Sequence, residues 1–141
     1  MPTQTASLVA TTITDNPAGY DLKLSTNSEY NCLKTTTVAN CNGSYNISPV
    51  LGTNADPSTS LSVLNANQWG VTLTSSFTGT DKGDDVVWFQ IPNKNNAVII
   101  ATNSDATTTT GDITTVTFGA KVDYSIPPAN SSDPYQATVV V

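Results

Sequence analysis

Apolar and polar positions alternate through much of the chain, and the alternation predicts strands. In Asn67–Ser75, Trp69, Val71 and Leu73 fall on one side and Gly70, Thr72 and Thr74 on the other, the two-residue period of a half-buried strand. Ile113–Tyr124 is longer: Thr114, Val116, Phe118, Ala120, Val122 and Tyr124 share one face, and Thr115, Thr117, Gly119, Lys121 and Asp123 share a second face expected to be wet. Tyr20–Ser25 sets Tyr20, Leu22 and Leu24 against Asp21, Lys23 and Ser25. Before it, the β-branched and small residues of Gln4–Thr14 stop at Asp15-Asn16-Pro17-Ala18-Gly19, where Pro fixes φ and Gly permits positive φ. The two segments flanking this turn are expected to pair as a hairpin.

Val86–Ile91 and Ala97–Thr102 are apolar runs around the amide-rich turn Pro92-Asn93-Lys94-Asn95-Asn96 and predict a second pair. At the end of the chain Tyr135, Ala137, Val139 and Val141 alternate with Gln136 and Thr138. Between these regular regions, Thr26–Ser62 carries Pro49, Pro57, Gly43, Gly52 and both cysteines, a composition that supports only short strand pieces such as Tyr45–Ile47. About seven to nine short strands predict an all-β, two-sheet antiparallel sandwich, Ig-like or jelly-roll-like, with a long excursion after the first hairpin. Trp69, Phe118, Tyr20 and Tyr135 fall on apolar faces and are the expected core aromatics. Trp88 and Phe89 are adjacent, so on a strand only one can face the core. Both are candidates for ligand contact, weighed against burial under the long excursion; Tyr30 and Tyr45, which flank the cysteine loop, raise the same question more weakly.

Composition agrees with this class. Strand-favouring residues (Val, Ile, Thr, Tyr, Phe, Trp) number 54 and helix-favouring ones (Ala, Leu, Lys, Gln, Glu, Met, Arg) 31. The 141 residues fit one domain, 1–141. A net charge of −6 with only 5 basic residues leaves little for counterion release, so nucleic acid is excluded as a partner. Histidine is absent, which removes the usual general base and the usual zinc ligand.

Ser, Thr and Asn make up 52 residues while charged ones are 11%, so hydroxyls and amides confer solubility, as on secreted proteins. Cys32 and Cys41, with no His or further Cys beside them, cannot complete a tetrahedral zinc site. A local disulfide is expected, which requires an oxidising compartment. Met1–Thr5 has neither a basic region nor an apolar one, and no apolar run approaches the ~18 residues of a membrane span. The expectation is a domain excised from a larger exported protein, with no direct membrane insertion in this segment.

Asp81-Lys82-Gly83-Asp84-Asp85 is the densest acidic cluster. Asp81, Asp84 and Asp85 offer oxygen ligands for calcium, but the twelve-residue EF-hand pattern is missing and a solvated loop is the preferred reading. No other cofactor is expected. The acids do not read as a glycosidase pair, because adjacent Asp84 and Asp85 would point to opposite faces of a strand. Glycosylation patterns at Asn42, Asn46 and Asn130 are expected by chance in a chain this rich in Asn, Ser and Thr.

Three segments together carry a resemblance: Ala6–Ser25, with Asn16-Pro17-Ala18-Gly19-Tyr20-Asp21-Leu22; Asn67-Gln68-Trp69-Gly70-Val71; and Thr114-Thr115-Val116-Thr117-Phe118-Gly119-Ala120-Lys121-Val122-Asp123. Their order and spacing resemble a Thr-rich domain of secreted and cell-surface proteins from Saccharibacteria and related candidate-phylum bacteria. The likeness spans most of the chain and departs at Pro127–Tyr135, which replaces a short glycine turn. It implies an extracellular β-sandwich in an adhesin-like surface protein, and it brings no catalytic residues with it.

The function expected from these readings is a noncatalytic cell-surface domain, not an enzyme. It would display or space a binding surface for a host or neighbouring-cell surface protein or glycan. Two alternatives are carried: a subunit of a pilus or surface fibre, assembled by strand completion between copies, and a carbohydrate-binding module using Trp88, Phe89 or loop tyrosines.

Overall fold

The computed structural model describes residues 2–42, 45–51, 63–75 and 88–141. Its strands are β1 (Gln4–Thr12), β2 (Tyr20–Thr26), β3 (Leu33–Lys34), β4 (Asn46–Pro49), β5 (Gln68–Ser75), β6 (Val98–Asn103), β7 (Asp112–Lys121) and β8 (Val139–Val140). They form two sheets, one ordered β1-β7-β5-β4-β3 and the other β6-β2-β8. The all-β sandwich expected from alternation is therefore present, with one departure from an antiparallel arrangement: β4 runs parallel to β5.

The register explains why the alternation was legible. Trp69 lies opposite Ala120, Val71 opposite Phe118 and Leu73 opposite Val116, and directly opposed residues share a face. That face meets Leu24 of β2 and Ile100 of β6 from the other sheet, together with Ile47, Phe89 and Ile91, in one buried cluster. Phe118 and Tyr135 pack against it as partly buried neighbours, as do Leu22, Ala137 and Val139. Tyr20 is half-buried at the margin.

Pairing departs from expectation in two places. β1 and β2 do not form a hairpin: β1 pairs with β7 along its whole length, and β2 pairs with β6 in the opposite sheet. The Asp15–Gly19 turn crosses between sheets, and Gly19, at φ +74°, packs its backbone against that of Asn103 too closely for any Cβ. Nor do the runs around Pro92 pair with each other. β6 goes to β2, whereas Phe89 exchanges backbone hydrogen bonds with Val71 (3.0 and 3.1 Å); residues 86 and 87 lie outside the described residues.

β7 ends at Lys121, three residues short of Tyr124. Asn67 Nδ2 donates to Asp123 Oδ1 (2.9 Å) while the Asp123 amide donates to Asn67 Oδ1 (2.9 Å), and this clasp turns the chain. Nor is the polar face of β7 simply wet. Gly119 on that face is buried, opposite Gly70 of β5, and the ring of Trp88 and the side chain of Leu64 lie over it. The final alternating segment forms only a two-residue strand, preceded by a single bridge between Lys34 and Gln136.

Candidate functional site

Strand directions bring one set of loops to a common end of the sandwich. The start of β5, the end of β7, the approach to β4 and the disulfide loop around β3 lie there, because Gln68 opposes Lys121, Ser48 opposes Gln68 and Lys34 opposes Asn46; the end of β2 joins them, since its first residue, Tyr20, bonds to the first residue of β7, Asp112. Cys32 and Cys41 are joined, with Cα atoms 5.8 Å apart. Cys32 is buried, so the bond tethers its loop directly to the core.

The loops at this end are braced by hydrogen bonds to one another. The Asp133 carboxylate receives the Thr36 amide (2.6 Å), the Thr36 hydroxyl (2.8 Å) and the Thr37 hydroxyl (3.2 Å), which locks the last loop to the disulfide loop. These donors, the Thr36 amide foremost, hold the Asp133 carboxyl below its ordinary value. Lys34 Nζ donates to the Val38 carbonyl (2.6 Å). Lys34 and Gln136 exchange backbone bonds, and Trp69 Nε1 donates to the Asn31 carbonyl (2.9 Å). Asn31 Nδ2 in turn reaches Gln90 Oε1 (3.0 Å) and the Ile91 carbonyl (3.1 Å).

Three tyrosines stand out from this braced end: Tyr30 at 39%, Tyr45 at 52% and Tyr124 at 98% exposure. Tyr124 sits on the turn held by Asp123, which accepts from Ser125 and Asn67; the Ser125 hydroxyl is the chief cause of that carboxyl's lowered pKa. Tyr30 borders a polar hollow of about 350 Å³ whose lining includes Asn27, Lys34, Thr36 and Gln136. Rigid loops that present amphipathic rings bind at low entropic cost, since a Tyr side chain loses only two torsions.

The candidates from sequence fare differently. Phe89 is 2% exposed and belongs to the core, so it is unavailable to a ligand. Its neighbour Trp88 is half-buried on the opposite face of the sheet, seated over Gly119. Adjacent strand residues point to opposite sides, and here both sides are covered. Asp81, Asp84 and Asp85 lie outside the described residues. Among the described residues no three His, Cys, Asp or Glu side chains converge, and no helix is long and apolar enough to cross a membrane. Asn46 of the glycosylation patterns is buried. Tyr124 was missed because the β7 alternation runs on past the strand's end and assigns it inward; the Asn67–Asp123 clasp leaves no mark in periodicity. Asp133 was missed too, since its only local cue is a place in a proline-rich loop.

At the far end, Tyr20 and Asn103 both donate to Asp112 Oδ2 (3.0 and 2.8 Å). Asp112 is buried, and the arrangement ties the sheets together. Comparison with family models, curated proteins and solved structures finds no match to this chain.

Proposed function

We propose that this chain is a noncatalytic extracellular domain that displays a binding surface at the cell envelope, its contacts made by the tyrosine-bearing loops at the disulfide end. One observation carries the reading: Tyr30, Tyr45 and Tyr124 are exposed, Tyr30 and Tyr45 on either side of the Cys32–Cys41 loop and Tyr124 beside the Asp123 clasp. An exposed ring on a mobile loop is common and says little. Three set beside covalent or hydrogen-bonded anchor points favour a pre-organised surface, the arrangement that lowers the ordering cost of recognition. A disulfide fits an oxidising, extracytoplasmic setting, and the resemblance to surface domains of Saccharibacteria points the same way.

The partner is a surface protein or glycan of a neighbouring cell or host. Aromatic faces stack on sugar rings and also anchor protein hot spots. The test is binding of the purified domain to intact cells and to a glycan array, alongside Tyr30→Ala, Tyr45→Ala and Tyr124→Ala. Saturable binding that drops at least about tenfold in one or more variants, with thermal stability retained, supports the reading. Binding indifferent to all three variants, or none to any cell or glycan, contradicts it.

A further inference from the structure

We propose that two copies of this chain associate through β1, edge to edge and antiparallel, about a two-fold axis at Leu8. β1 pairs with β7 on one side over all nine residues from Gln4 to Thr12. Among the described residues, none pairs with its other side. A free edge is a row of unmet N–H and C=O groups, normally blunted by shortness, charge, proline or a bulge. β1 has none of these protections. It is the second-longest of the described strands, its register with β7 is unbroken, and Gln4–Thr12 contains neither proline nor charge. The other edges are poorer templates: β3 and β8 have two residues each, and the β6 ladder shifts register at Leu22/Lys23.

Charge and pattern identify the occupant as a second copy. The chain carries −6, yet no side chain from Pro2 to Thr14 is charged. Two like-charged molecules therefore meet with least repulsion along this strand. The segment is also self-complementary. With Leu8 on the axis, Leu8 faces Leu8 of the second copy, Ala6 faces Ala10, and Ser7 faces Val9. Because opposed residues share a face, the inward set of one copy (Ala6, Leu8, Ala10) continues that of the other, and the outward set (Ser7, Val9) does likewise.

Both faces have apolar surface to cover. Leu8 is 44% exposed and lines an apolar groove of about 520 Å³ with Ala6, Trp69, Phe118 and Val139. On the outward face Val9 is 59% exposed. Strand addition satisfies the backbone and shields both residues.

The experiment is sedimentation of the intact domain over rising concentration, with Leu8→Lys and Val9→Lys. The expected result is a monomer–dimer equilibrium that both lysines abolish, while circular dichroism, and melting at a concentration where the parent is monomeric, are unchanged. Either lysine variant suffices if the other fails to fold. Leu8→Cys reads the register: oxidation should give a covalent dimer at a yield several-fold above that of Thr12→Cys, which the two-fold places opposite Gln4. A monomer at all concentrations up to about 1 mM, a dimer indifferent to both lysines, or an open ladder of larger species, the mark of head-to-tail fibre assembly, overturns the proposal.

Discussion

Tyr20 donates its hydroxyl to Asp112 Oδ2 at 3.0 Å, a side-chain hydrogen bond that links β2 in one sheet to the first residue of β7 in the other. Burial first, and then the bond and charge of Asp112, push the Tyr20 pKa up from 10.0 to about 12. The folded chain thus holds this proton more tightly than the unfolded one does. The stability it contributes is complete below pH 10 and is lost as pH rises towards 12. Tyr20→Phe should cost about 1–2 kcal/mol near neutral pH, less than a fully buried charge-assisted bond because the site is partly open to solvent. Melting temperature measured between pH 9 and about 12 should fall more steeply in the parent than in the variant.

Gly119 and Trp88 form a second testable contact. A side chain at Gly119 would overlap the Trp88 ring, so Gly119→Val should destabilise by about 1–3 kcal/mol through overpacking. Trp88→Ala should also destabilise, by uncovering Gly119 and Leu64. Combined, the two changes should be less harmful than the sum of their separate effects, because the smaller residue makes room for the larger. Chemical denaturation of the four proteins closes the cycle.

These contacts mark where sequence reading succeeds and where it stops. Alternation located the inward residues of β5 and β7, because a two-residue period is a local property and Trp69, Val71 and Leu73 declare it. It did not say which sheet receives a strand. The Asp15–Gly19 turn has hairpin chemistry, yet β1 and β2 part there, because the choice depends on β7 and β6, far downstream in the chain. The Gly70–Gly119 pairing is invisible until two distant segments are set in register. The tyrosine end was only half legible: Tyr30 and Tyr45 stood beside the cysteines, whereas Tyr124 was hidden in an alternation that outran its strand.

The Cys32–Cys41 bond closes a loop of about ten residues, for which chain entropy predicts roughly 2–3 kcal/mol. A chain with both cysteines replaced by serine should lose about that much in denaturant-induced unfolding. Because Cys32 is buried against the core, the β3–β4 pairing should loosen first, visible as faster amide exchange at Leu33 and Lys34.

Asp133 should titrate below its ordinary carboxyl value of 3.8, since the Thr36 and Thr37 donors favour its charged form. A depressed pKa stabilises above the unfolded value and ceases to do so as pH falls through the folded one. The Thr36 amide should therefore be protected from exchange at neutral pH and lose protection in acid. Asp133→Ala should abolish that protection at every pH and leave the Tyr20 end unaffected, as amide exchange followed by NMR would record.

The proposed function requires the sandwich to work outside the cytoplasm with its disulfide closed. The most direct measurement is brief protease treatment of intact cells that make it, followed by mass spectrometry of the released peptides without reduction. Peptides bearing Cys32 and Cys41 should be released from unbroken cells and remain linked to each other. Recovery only after lysis, with both thiols free to alkylation, would contradict it.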